Sequence, residues 1–236
     1  MHTPGYYQTN YRALRFRELC RMRGFWRGIR NFWLTRFMRP SGCAWMPSLW
    51  ADTECKREEL SERFELCTRF HQRAFKELGF TECGFLRVTK SFNPLIRDTG
   101  GITYLDPTRS HFGQLLYNRI YAPGSGAEID RIVIAFTAQL HLHSLSFTNS
   151  KQSFDSPDEN EVVRIDSNDV DILYRQFLDR LRKDSEIPRT FANIESLRSW
   201  FDARQIRAFE QRAERRLFIP MTEREVEEQQ RRHLGR

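Results

Sequence analysis

The sequence predicts an α+β fold: a mostly antiparallel sheet of about five strands, helices at both ends and a basic amphipathic helix at the N-terminus. Three observations predict it. Strand-like stretches cluster between residues 84 and 148 of the 236, while helix-period patterns stand on either side. The segments between strands are short and carry turn residues (Asn93-Pro94, Gly100-Gly101, Asp106-Pro107, Pro123-Gly124-Ser125-Gly126), which suits antiparallel neighbours rather than helical crossovers. Nineteen phenylalanines and 39% hydrophobic content are enough to bury a core.

At the N-terminal end, Leu19, Met22, Phe25, Trp26, Ile29, Phe32, Trp33 and Phe37 recur at steps of three and four. At the helical rotation of about 100° per residue they fill one arc of about 140°. Arg23, Arg27 and Arg30 flank that arc, with Gly24, Gly28, Asn31 and Thr35 opposite. The two glycines cost about 1 kcal/mol each against alanine, so this helix forms on packing or on binding. Pro40 closes it, and 40–50 reads as a linker.

A second helix is expected over 56–78, where Leu60, Phe64, Cys67, His71, Phe75 and Leu78 trace one face and Gly79 supplies the stop. Strands are expected at 84–90, 103–105, 114–121, 131–138 and 142–148, the glycine pair 100–101 and the 123–126 stretch being read as hairpin turns. No glycine or proline interrupts 131–148, yet one strand of that span would be about three times the usual length, so a bend is expected within 138–143. Residues 149–160 are polar and acidic, a surface loop, followed by a short strand at 162–165.

The helix expected over 168–183 has Asp169 and Asp171 at its start, Arg180, Arg182 and Lys183 at its end, and Val170, Leu173, Tyr174, Phe177 and Leu181 on one face. After Pro188 a long helix over 193–217 packs Ile194, Leu197, Phe201 and Phe209, and beyond Pro220 the chain is charged. The organisation that follows is a basic Arg/aromatic arm at 1–40, an α+β domain at 41–218 and a charged tail at 219–236.

Charge divides along the same line. Residues 1–40 hold nine of the 38 basic side chains, all arginine, against one of the 31 acids, Glu18, so the net charge of the rest is close to zero. Such a helix can lie in a bilayer interface with its arginines on lipid phosphates. It equally suits nucleic acid, with guanidinium forks on phosphates and rings stacked on unpaired bases. The third reading is docking of the arc on the protein's own core, with the arginines as a solvated rim. The residues expected to meet an anionic surface are Arg23, Trp26, Arg27, Arg30, Trp33 and Arg36.

The longest apolar run, 132–136, falls far short of the roughly 18 to 20 residues of a membrane span, and arginines recur where a secretory signal would need an apolar stretch. Five cysteines without a Cys-x-x-Cys pair signal neither a disulfide framework nor a zinc ribbon. The expected setting is cytoplasmic, peripheral to the membrane.

Two constellations carry potential chemistry. His141 and His143, two apart on a strand, could share a metal with a third ligand, for which His111 is the other histidine of the sheet region. Cys67 and His71, four apart on a helix face, have the spacing of a thiolate and imidazole pair, or of a satisfied core. The glycine stretches match no phosphate-binding fingerprint, and Asp155, Asp158 and Glu159 lie outside any calcium-loop pattern, so no cofactor is expected.

The leading expectation is a non-enzymatic domain held by its N-terminal helix on an anionic membrane surface. The alternative is RNA or single-stranded nucleic-acid binding by the same arm. A second alternative is a hydrolase-like or metal-dependent enzyme built on His141 and His143.

Overall fold

The structure, a computed structural model, describes residues 6–23, 25–35, 41–45, 49–88, 96–122, 125–150, 160–184 and 186–234. The fold is α+β with a mostly antiparallel sheet.

The N-terminal part contains strand β1 (Tyr7–Thr9), a 3-10 turn (Tyr11–Ala13), helices α1 (Phe16–Arg23) and α2 (Phe25–Thr35), and strand β2 (Ser41–Trp45). A one-turn helix α3 (Trp50–Thr53), the short strand β3 (Glu54–Cys55) and a second 3-10 turn (Arg57–Glu59) lead to α4 (Glu62–Glu77). The sheet continues with β4 (Thr81–Leu86), β5 (Ile96–Leu105), β6 (His111–Ala122), β7 (Ala127–Gln139), β8 (Ser144–Thr148) and β9 (Asn160–Arg164). Helices α5 (Val170–Lys183) and α6 (Ile194–Glu214), strand β10 (Phe218–Pro220) and helix α7 (Glu223–Leu234) complete the chain.

Local chemistry sets the helix starts. Ser61 Oγ accepts from the Phe64 N–H, Asp169 from the N–H groups of Asp171 and Ile172, and Asn193 from that of Ser196, so each helix begins on a capping side chain. The expected helix over 56–78 therefore starts later, at Ser61, and ends before Gly79, whose φ of +82° only glycine adopts without strain.

The main sheet has seven strands in the order β3-β4-β5-β6-β7-β8-β9, antiparallel throughout except for the parallel β8–β9 pair. A smaller sheet, β10-β1-β2, joins the chain's two ends. Its strands come from each of the three segments 1–40, 41–218 and 219–236.

The main sheet exceeds the expected five by β3 and by β9, the latter close to the short strand expected at 162–165, and one expected strand is longer than its pattern shows. The pairs at the ends of the chain are too short to show a period of two. The longer strand is β5, which begins at Ile96, seven residues ahead of the expected strand, because the Gly100-Gly101 pair lies inside it. A Cβ on Gly100 would stand 2.6 Å from the Phe64 ring, and one on Gly101 would stand 2.7 Å from Leu116. These glycines make room for side chains over a strand instead of turning the chain. The 125–126 turn does join β6 to β7, with Gly126 at φ +67°. The bend expected within 138–143 is also present: β7 ends at Gln139, β8 begins at Ser144, and the Leu140 N–H donates to the His143 carbonyl at 2.8 Å.

Alternation along the strands divides the interior between two faces. Leu115 and Tyr117 of β6 join the core under α4 and α5 with Phe64, Phe75, Phe136 and Phe177. Phe112 points the other way, into a second cluster where α3 and α6 supply Trp50, Leu197 and Phe201. Phe75 stacks on Tyr104 with ring centres 4.3 Å apart, both fully buried. A third cluster, Leu14, Leu19, Phe209, Leu217 and Phe218, ties the N-terminal helices to the end of α6.

Candidate functional site

The N-terminal arginine and aromatic segment forms two helices where one continuous helix was expected. They lie against one another: a Cβ on Gly28 of α2 would stand 2.8 Å from the Cys20 sulfur and 3.0 Å from its Cα, on α1. Contact that close needs glycine. The pair is anchored by Glu18, which is fully buried and accepts from Arg215 at 2.8 and 3.2 Å and from the Arg15 N–H at 2.8 Å. Nearby, Asn10 donates through its backbone to Leu217 O at 2.8 Å, and Tyr7 meets the Phe209 ring edge-on at 4.7 Å.

The docked face of α2 is the reverse of the one its pattern suggests. Gly28 and Thr35, placed opposite the apolar arc in the sequence, are buried, and Asn31 and Phe32 are half-buried. Phe25, Trp26, Ile29, Trp33 and Leu34 face outward, Trp26 keeping 81% and Trp33 67% of their surface. Phe16 meets Phe25 and Phe32 edge-on, and Phe25 meets Trp26 the same way, so the outward rings form one contiguous aromatic surface. Arg30 is exposed beside it. Arg23 ends α1 and Arg27 stands in the first turn of α2, while Arg36 lies outside the described residues.

His141 and His143 border one cleft. The tip between β7 and β8 splays them. The backbone of His141 donates to Glu186 at 2.6 Å and its ring nitrogen lies 3.1 Å from Arg189. His143 faces Glu161, Asp184 and Glu186 at 3.8 to 3.9 Å. Among the described residues, no group of three His, Cys, Asp or Glu side chains is arranged to hold a metal ion. His111 is engaged elsewhere, its ring bonded to Ser110 at 2.9 Å and Tyr174 at 3.0 Å. Burial lowers its pKa, opposed by Asp106.

The cleft that the two histidines border has a volume of about 210 Å³, and α6 forms its opposite wall through Trp200, Ala203, Arg204 and Arg207. Arg204 reaches inward from that wall. Its Nε donates to Asn160 Oδ1 at 3.1 Å, its Nη2 donates to Ser146 Oγ at 3.0 Å, and its guanidinium carbon lies 5.3 Å from the centre of the Trp200 ring. Asn160 Oδ1 also accepts from Ser144, and Ser146 is bonded in turn to Thr137 at 2.9 Å. The residue as a whole keeps some exposure, but its guanidinium is enclosed, and that desolvation brings its pKa down to about 10. No carboxylate pairs with it among the described residues, in contrast to Arg180, which is held by Glu161 and Asp184.

A sequence signal for Arg204 exists. It stands three residues after Phe201 and seven after Leu197, on the buried stripe of α6, where an arginine interrupts the apolar period.

Cys67 and His71 do not form a thiolate and imidazole pair. The Cys67 thiol donates to Asp130 at 3.7 Å, and burial together with that carboxylate pushes its pKa up. Burial lowers the His71 pKa, opposed by the Asn168 backbone and Asp169. No helix among the described residues is long and apolar enough to cross a membrane. No family model, curated protein or solved structure matches this chain.

Proposed function

We propose that the paired N-terminal helices attach the protein to an anionic membrane surface. The observation that carries this reading is the outward set Phe25, Trp26, Ile29 and Trp33 on a helix docked by its opposite, small-residue face. It lies in a segment where nine arginines stand against one acid, and that acid is committed to Arg215. Insertion of the rings to headgroup depth buries apolar area while guanidinium forks meet lipid phosphates. The aliphatic members Ile29 and Leu34 favour lipid over nucleic acid, since neither can stack on a base. The rings also meet edge to face, leaving no separated platforms between which bases could slide.

The test is co-sedimentation of the full chain with phosphatidylcholine vesicles with and without phosphatidylserine. Removal of residues 1–40 would take β1 from its sheet, so the informative change is Trp26→Ala with Trp33→Ala, at exposed positions. Each inserted aromatic is worth about 1.5 to 3 kcal/mol, so the double variant should bind the anionic vesicles at least tenfold more weakly. Equal binding by the variant, or none by the wild type, overturns the proposal. Salt-dependent binding of a single-stranded RNA without vesicle binding transfers the surface to nucleic acid.

A further inference from the structure

We propose that the cleft between α6 and the β7–β8 tip binds a small molecule through an oxyanion, a carboxylate or a phosphate, held by Arg204. An enclosed guanidinium is costly unless a negative charge answers it, and here its protein partners are an amide oxygen and a hydroxyl, both neutral. These two bonds use one edge of the fork. Nη1 makes no hydrogen bond among the described residues, so the remaining N–H groups are available on the cleft side for a two-point contact with an oxyanion.

The surroundings fix this fork in place before any ligand arrives. Trp200 packs over the guanidinium, and the Ser144, Asn160, Ser146 and Thr137 bonds hold its two acceptors across three neighbouring strands. Such preorganisation is what a binding site needs and what a solvated surface arginine lacks. Arg207, one turn further along α6, lines the same wall. Leu140, Leu142 and Ala203 provide apolar surface for the uncharged part of the ligand. Of the acids at the tip, Glu161 and Asp184 are engaged by Arg180, and Glu186 accepts from the backbone N–H groups of His141 and Leu142.

The test follows thermal unfolding of the full chain with sodium phosphate, sodium acetate and sodium chloride at matched ionic strength. Phosphate or acetate should stabilise the wild type saturably beyond chloride, and the larger effect identifies which oxyanion the fork prefers. Arg204→Gln should weaken that binding about tenfold to a hundredfold, the weight of a charge-assisted bond pair. The same variant should melt at or above the ligand-free wild type, because a desolvated charge with no counter-charge among the described residues is removed.

If Arg204→Gln does not fold, the Arg204 Nε resonance of the wild type decides the matter: it should shift on titration with the preferred anion and not with chloride. Equal anion effects in wild type and variant, or an unmoved Nε resonance, overturn the site.

Discussion

Glu18 and Arg215, 197 positions apart, form a two-point ion pair in which the carboxylate has no exposed surface. It joins α1 to the end of α6 and so determines how the N-terminal helices sit. Removing Arg215 leaves a fully buried carboxylate, and removing Glu18 leaves a half-buried guanidinium, without its counter-charge, a larger loss than that of a surface pair. Glu18→Gln is expected to lower unfolding free energy by about 3 kcal/mol, with part of that loss recovered when Arg215→Met is added. Urea denaturation of the four proteins of this cycle measures the coupling, and strict additivity would exclude it.

Gly100 makes a second prediction, on the packing of β5. If it turned the chain, alanine there would be nearly neutral or would perturb only the backbone. Because its missing Cβ makes room for Phe64 at 2.6 Å, Gly100→Ala should cost about 1 to 3 kcal/mol by overpacking. Phe64→Leu in the same chain should recover part of that loss, and the absence of any recovery would argue against the ring contact as the cause.

The third prediction concerns acid. His111 is buried, and that burial lowers its pKa in the folded state despite Asp106. The unfolded chain takes up a proton near the ordinary value of 6.5 while the folded one does not. The contribution of His111 is therefore complete above 6.5 and declines as the pH falls from there toward the folded value. Urea midpoints between about pH 5 and pH 8 should fall less steeply for His111→Gln than for the wild type. His71 acts in the same direction in both proteins, so the difference isolates His111. Parallel curves would refute the assignment.

The middle and C-terminal elements were legible because their signals are local. The apolar stripes of α4, α5 and α6 repeat within a few residues, Asn193 opens α6 where the long helix is expected to begin, and the 138–143 bend follows from strand length alone; the Ser61 cap that sets the start of α4 is a local signal the apolar stripe does not show. Gly100 was misread for a related reason: glycine allows both a tight turn and close packing over a strand, and only the position of Phe64 distinguishes them. The candidate cleft was half visible. His141 and His143, the metal candidates of the sequence, line it, whereas the placement of Arg204 depends on Asn160 and Ser146, 44 and 58 positions away.

By itself the sequence determined the α+β class, the order of most elements and the concentration of arginine and aromatic residues at one end. These properties depend on residue type and short-range period, which the chain carries wherever it folds. The tertiary structure decided which face of α2 is covered, what answers Glu18, and that Arg204 meets Asn160 and Ser146. Each depends on a partner distant in the chain, and an amphipathic period cannot tell whether its apolar arc or its small-residue face makes the closer contact. In α2 Gly28 lets the backbone approach Cys20, so the small face docks and Trp26 and Trp33 are left outside.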